Sequence, residues 1–391
     1  MTENEEMFLD LVVLNDKEQV TKMLDNGMDV NAQDGFGRTG LIKAISKGNE
    51  EMINLLIEKG ADINLADREG QTPLMWAAQF ANWPVVLTLI KNGVDLDKKS
   101  TWKGTVLNQA IKNSQPEFAL FLAQRMKELN VKEQEFGRTA LLAAVMHGYK
   151  DVALALIEKG ADVNCPDYKG NTPLLAAIYA EEKEVVEKLI QKGADVNYPD
   201  KKGLTPLMYN IFYGSVEMDE FLIKNGANLH AKDKNGNTAL VHAVESACFS
   251  HVFRLIANGA NVDDQDVNGE TVFMKAVKTN KVKTVKQLLA NGVNINAKDN
   301  LGRTALMLAA KLNLSYLTEL LLRHKANTYL RDNDGLDAWG YACFYGSIQV
   351  KATMKKIQHE RKCPRRDVLN THPSTPRRFI ALKSRQHQKD E

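Results

Sequence analysis

The chain has 391 residues, 44% of them hydrophobic, and 51 Lys/Arg against 49 Asp/Glu give a formal net charge of +2. No uncharged apolar stretch approaches the roughly 18 residues of a membrane span, and the four scattered cysteines, Cys165, Cys248, Cys343 and Cys363, form no CxxC pair, which argues against disulfides or a zinc site. Charge is unevenly placed: from Lys351 onward 12 Lys/Arg face 4 Asp/Glu, a net +8, which leaves residues 1–350 at −6.

Met1 to Asp10 is acidic and lacks the apolar core of a signal peptide, so the expected setting is the cytoplasm. Glu6 to Asn31 reads as a capping unit within about residues 1–33. A repeat then takes over. Units open at Thr39, Thr72, Thr105, Thr139, Thr172, Thr205, Thr238, Thr271 and Thr304, every step being 33 residues except the 34 between Thr105 and Thr139. Glycines at Gly27, Gly60, Gly93, Gly160, Gly193, Gly226, Gly259 and Gly292 keep the same beat. Two markers in phase indicate a repeat array, in which length measures a stack of units and not a number of globular domains.

The first unit opens on Gly35-Phe-Gly37-Arg-Thr-Gly40, which fits the glycine pattern of a dinucleotide site. The register assigns Gly35 and Gly37 to a repeat turn with no buried strand before it, so the turn reading prevails. The next unit shows the design. Asp67-Arg-Glu-Gly70 has tight-turn composition; Thr72 caps a helix, Pro73 suits its first position, and Leu74, Ala77 and Ala78 share a face. After a break near Asn82, a second helix over Val85–Lys91 carries Val85, Val86, Leu89 and Ile90 at core spacing and ends on Gly93. The following unit, about residues 100–138, lacks a terminating glycine near Met126, replaces the turn Asp and holds an extra residue before Phe136, so irregular stacking and a hinge are expected there.

Further along, Asp264-Gln-Asp266-Val-Asn268-Gly269 copies the start of a calcium loop, yet Lys275 stands where a bidentate acid is required. Asn313-Leu-Ser315 is a glycosylation sequon. The eight histidines, His147 and His242 among them, have no recurring nucleophile beside them, so the residues compose no catalytic set and imply neither cofactor nor metal. Asp332 to about Glu360 reads as a degenerate last unit.

The pattern Asp-x-x-Gly-x-Thr-Pro-Leu, then Ala-Ala, then Leu-Leu-x-x-Gly-Ala-Asp-x-Asn resembles that of ankyrin repeats, best at Asp67–Gly93 and Asp167–Asn197. The resemblance implies an all-α solenoid over residues 1–360, with helix-turn-helix units joined by β-hairpin-like loops. About eleven layers would form a curved stack, with caps at about 1–33 and 332–360. It also implies a monomeric, non-catalytic scaffold or adaptor that binds a protein partner through its concave face and hairpin tips. No small-molecule substrate is implied, and nucleic acid is not favoured. An effector of an intracellular bacterium or virus acting on host proteins is the alternative reading. One departure stands out: three residues after the threonine, where ankyrin units usually carry His, the chain has Ile42, Met75, Asn108, Leu142, Leu175, Met208, Val241, Met274 and Met307, so the usual polar link is expected to be absent.

The resemblance implies contacts at the hairpin tips and the end of the first helix, which makes positions seven and eight after the threonine the partner-binding candidates: Phe80, Met146, His147, Tyr179, Phe212 and Tyr213, with Phe344 and Tyr345 in the last unit and Trp102 at a turn tip. Aromatic side chains supply much of the hot-spot energy of interfaces. Beyond Glu360 the basic clusters Arg361, Lys362, Arg365, Arg366 and Arg377, Arg378 read as a disordered tail over 361–391, with Thr375 before Pro376 as a phosphorylation candidate. Such a tail is a possible nuclear address.

Overall fold

A computed structural model describes residues 2–246 and 248–360. Among the described residues the structure is all helical, with 22 helices from Glu3–Val13 to Ile348–Glu360. Isolated antiparallel bridges such as Gln33 with Thr39 and Gln265 with Thr271 close the hairpins. The basic tail, with Arg361, Lys362, Arg365, Arg366, Thr375, Arg377 and Arg378, lies outside the described residues, as does Cys363.

Each unit is built as its residues dictate. The Thr72 hydroxyl accepts from Met75 N–H at 3.3 Å, Pro73 fills the first helical position, and the helix Pro73–Gln79 buries Leu74, Met75, Ala77 and Ala78. Seven residues make barely two turns. Such a helix is too short to persist alone, so its stability comes from neighbours on both sides. It ends at Ala81 in the left-handed region at φ 51°, and the second helix follows at once as Trp83–Lys91, capped by the Asn82 side chain on Val85 N–H. Gly93, at φ 81°, closes it, with Gly93 N–H on the Ile90 carbonyl and Val94 N–H on that of Leu89.

The alanine five residues after each threonine recurs as Ala44, Ala77, Ala110, Ala144, Ala177, Ala243, Ala276 and Ala309, all wholly buried, where a small side chain lets helix backbones approach closely. The exception is Asn210, also buried.

The two terminal units are capped differently from the inner ones. The first helix starts at Glu3, where Thr2 and Glu5 form a reciprocal capping box, and the last unit replaces threonine by Asp337, whose carboxylate accepts from Gly340 N–H at 2.8 Å.

The chain divides into two compact units, Met1–Gly214 and Ser215–Glu391. The division falls inside one repeat, between the helices Pro206–Tyr213 and Val216–Lys224. Gly214 is extended at φ −119°, ψ −164°, where the equivalent residues Gly48, Ala81, Ser114, Gly148, Glu181, Asn280, Asn313 and Gly346 all take positive φ. The irregular segment around Met126 lies wholly within the first unit.

Candidate functional site

Most hairpins are organised by one carboxylate, and in the hairpin at Ser100 the serine hydroxyl takes its place, accepting from Lys103 N–H at 3.1 Å. In Asp67 one oxygen accepts from Glu69 and Gln71 N–H at 3.0 and 2.9 Å, and the other accepts from the Trp76 indole at 2.9 Å. That second link recurs four residues after the helix cap, with Tyr209 on Asp200 at 3.0 Å, His242 on Asp233 at 3.0 Å and, after Asp337, Tyr341 on Asp332 at 2.7 Å. Lysine plays the part in Lys43 with Asp34 and Lys275 with Asp266. Burial, and then Asp200, push the Tyr209 hydroxyl above its ordinary range, and burial with Asp332 does the same to Tyr341, so both remain neutral donors.

The expected absence of a polar link is corrected in one unit. Three residues after Thr105, the Asn108 carbonyl oxygen accepts from Thr105 N–H at 3.1 Å and from its hydroxyl at 2.8 Å, while the Asn108 amide donates to the Val131 carbonyl. A buried amide at that position satisfies the uncapped donors as a histidine would.

On the residues anchored by the hairpin acids rest the candidate aromatics, one helical turn on. Phe80 stacks on Trp76 with centroids 6.2 Å apart, Tyr213 lies over Tyr209 at 6.2 Å, and Tyr345 stacks on Tyr341 at 5.9 Å. Sideways packing and exposure therefore coexist. Tyr179 meets Tyr213 of the next repeat edge-to-face at 4.7 Å, yet the two remain 61% and 46% exposed. Phe212 completes this group, 6.0 Å from Tyr213. Tyr179, Tyr209, Phe212 and Tyr213 thus form one rigid, half-exposed cluster on the first-helix face of the first compact unit.

The other candidates stand apart from it. Met146 and His147 are exposed at the end of their helix, His147 stacking on Tyr149 at 5.6 Å. Phe344 and Tyr345 are half-buried in the second compact unit, where Lys311 lies 5.2 Å from the Tyr345 ring. Trp102 is an exposed hairpin tip. Tips are joined by a backbone ladder: Arg68 N–H donates to the Phe36 carbonyl, Thr101 to Glu69, Gln134 to Trp102, Tyr168 to Phe136 and Lys201 to Lys169, at 2.8 to 3.3 Å. In the second unit Val267, Asn300 and Asn333 donate in the same way to Asn235, Asn268 and Leu301.

Both misleading motifs are ladder parts. Gly37 takes φ 78°, and a Cβ there would lie 2.8 Å from Arg68 N, so its glycine serves the turn and the close approach of the next hairpin. In the calcium-like segment Asp266 accepts from Asn268 and Glu270 N–H and pairs with Lys275 at 3.0 Å. The cation at that carboxylate is the chain's own lysine, whose pKa burial pulls down and Glu245 and Asp266 more than restore.

Two features went unread in the sequence. The column four residues after the threonine is chemically mixed: Lys43, Trp76, Tyr209, His242 and Lys275 share a hairpin Asp partner, while Gln109, Ala143, Ala176 and Leu308 stand at the same position in the other units. A second ladder joins the loops after the second helices, where side-chain oxygens of Asn31, Asn64, Asn130 and Asn164 accept from Asp62, Asp95, Asp162 and Asp195 N–H at 2.7 to 2.8 Å.

Among the described residues no group of three His, Cys, Asp or Glu is placed to hold a metal ion, and no helix is long and apolar enough to cross a membrane. The family model for ankyrin repeats (3 copies) matches residues 9–100, 107–200, 197–266, 247–332 and 273–354.

Proposed function

Because the chain belongs to the ankyrin-repeat family, whose repeats are protein–protein interaction modules, we propose that it is a non-catalytic scaffold that grips a protein partner through the Tyr179–Phe212–Tyr213 cluster. The observation that carries this reading is the cluster's combination of rigidity and exposure. Tyr209 is fixed by Asp200, Tyr213 rests on Tyr209, and Tyr179 braces Tyr213 from the neighbouring repeat. Aromatic surface already held in place loses little side-chain freedom on binding, and preorganised Tyr is the type of residue that dominates interface energies. Trp102 and the exposed tips Tyr168, Lys169, Lys201 and Lys202 border the same unit and suit an adjoining contact. The protein acts in the cytoplasm, with the basic segment after Glu360 as a second contact or an address for the nucleus.

The test compares three chains by proximity labelling and pull-down: the intact protein, the Phe212→Ala/Tyr213→Ala double variant, and a form ending at Glu360. Loss of a hot-spot pair of this kind weakens binding by roughly tenfold or more. Partners lost from the double variant but kept by the shortened form support the reading; a double variant that retains every partner overturns it.

A further inference from the structure

The second-helix faces of the two compact units differ in chemistry. In the first unit acids and lysines of neighbouring second helices pair across the repeat, Lys17 with Glu51, Lys59 with Asp25, Lys150 with Glu184 and Lys188 with Glu158. The pairing reaches Phe249–Ala257, where Arg254 meets Glu220 at 2.8 Å, and beyond that pair acids become scarce. Over Phe249–Ala257, Val282–Ala290 and Ser315–Arg323 the one acid is Glu319, held by Arg323 at 2.7 Å, and Ile348–Glu360 has no acid before Glu360. Lys283, Lys286 and Lys355 are exposed and have no ion pair among the described residues.

Beside these lysines stand large apolar side chains. Phe253 is 54% exposed, Tyr316 54% and Ile348 74%, while Val252, Leu255, Val285, Leu288, Leu317 and Leu321 on the opposite sides of the same helices fill the core. Phe253 and Lys286 occupy one repeat position, and Lys283 and Tyr316 another, so aromatic and basic groups alternate from helix to helix. The Lys286 ammonium lies 5.6 Å from the Tyr316 ring centroid. Lysines alone would be an ordinary solvated face. Lysines without acids, interleaved with exposed Phe, Tyr and Ile, match a partner that is anionic at its surface and apolar just beneath.

We propose that this face docks on an anionic phospholipid bilayer surface, with Lys283, Lys286 and Lys355 at the headgroup phosphates and Phe253, Tyr316 and Ile348 in the interfacial layer. Aromatic rings favour that layer, and lysines near an anionic leaflet add attraction that salt weakens. The chain's net +8 from Lys351 onward has the same sign. A nucleic acid offers phosphates but no apolar layer for Ile348, and an acidic peptide offers neither the extent nor the depth.

The intact chain is sedimented with phosphatidylcholine vesicles and with phosphatidylcholine–phosphatidylserine vesicles. The expected result is binding to the anionic vesicles alone, weakened by added salt, and reduced about tenfold or more by Lys283→Glu/Lys286→Glu. Phe253→Ser/Tyr316→Ser weakens it without a change in net charge. Lys91→Glu/Lys98→Glu, a charge-matched change at exposed lysines of the first unit, leaves it largely intact. The proposal is overturned by equal binding to neutral vesicles, by undiminished binding of either second-unit variant, by an equal loss in the charge-matched control, or by tighter binding to a single-stranded oligonucleotide or to polyglutamate than to vesicles. All the substituted side chains are exposed, and an unchanged circular dichroism melt in each variant separates loss of docking from loss of fold.

Discussion

A hairpin carboxylate does three jobs at once, and Asp34 shows the electrostatic consequence. Its oxygens accept from Phe36 and Arg38 N–H, both at 2.9 Å, and pair with the Arg38 guanidinium at 2.8 Å and Lys43 at 3.1 Å. Burial alone would push this carboxyl up; the amides and the two cations outweigh it and hold the pKa at about 2. The folded value lies below the unfolded one of about 4. The stabilisation is therefore complete above about pH 4 and disappears as pH falls toward about 2. Asp34→Asn keeps an acceptor for the amides but loses the charge. It should lower stability at neutral pH by roughly 1–2 kcal/mol and flatten the acid limb of the melting-temperature profile between about pH 4 and pH 2. Thermal melts across that range decide it, and an acid limb as steep as that of the parent chain would refute the assignment.

At the level of elements, the extra residue before Phe136 is absorbed without breaking the ladder, and the means could not be read from spacing alone. A regular turn closes from Asp to the glycine three residues on, as in Gly70 N–H on the Asp67 carbonyl at 2.9 Å; here Gly137 N–H reaches four residues back to Glu133 at 3.1 Å. The turn is one residue longer, and the acid that fills it is one methylene longer. Glu133 accepts from Glu135, Phe136 and Arg138 N–H at 2.7, 2.9 and 3.1 Å. The missing glycine near Met126 is likewise offset: the Asp97 carboxylate accepts from Lys127 and Glu128 N–H, and Lys159 donates to the Met126 carbonyl at 2.5 Å. The extra residue of the 34-residue step falls in this longer turn. What replaced the lost cap depends on side chains 30 or more residues away, which no local signal encodes. Glu133→Asp should thus be destabilising by about 1 kcal/mol, because the shorter side chain cannot reach Arg138 N–H. Deleting Gln134 in that variant restores the regular length and should recover much of the loss. Urea midpoints of the two variants provide the comparison, and a deletion that costs more than the substitution would contradict this account of the turn.

At the scale of the whole molecule, stability is a sum over layers that touch only their neighbours, which is why one short motif repeated in register makes most of the fold legible. The threonine caps, the alanine face and the glycine stops act within single units, and they appear in the sequence wherever they appear in the structure. The candidate cluster was legible as a column of aromatics, but not its rigidity, because the support from Tyr209 and Asp200 comes from a column that mixes residue types. The layered design makes a further prediction about how damage spreads. Leu288 is wholly buried in the helix Val282–Ala290, and its side chain fills the space between that helix and its neighbours. Leu288→Ala removes buried methyl groups and leaves a cavity, an effect of about 2–5 kcal/mol. In a globular domain such a loss lowers the protection of the whole core together. In an array the loss is shared with adjacent layers and fades along the stack. Native-state hydrogen exchange should therefore show the largest fall in opening energy at Phe273–Val277 and Val285–Leu288. Smaller falls are expected at Leu240–Val244 and Leu306–Ala310, and the smallest in the last unit at Tyr341 and Ala342. Equal falls at all of these amides would mean that the second compact unit opens as a single cooperative block, and that nearest-neighbour coupling does not describe it.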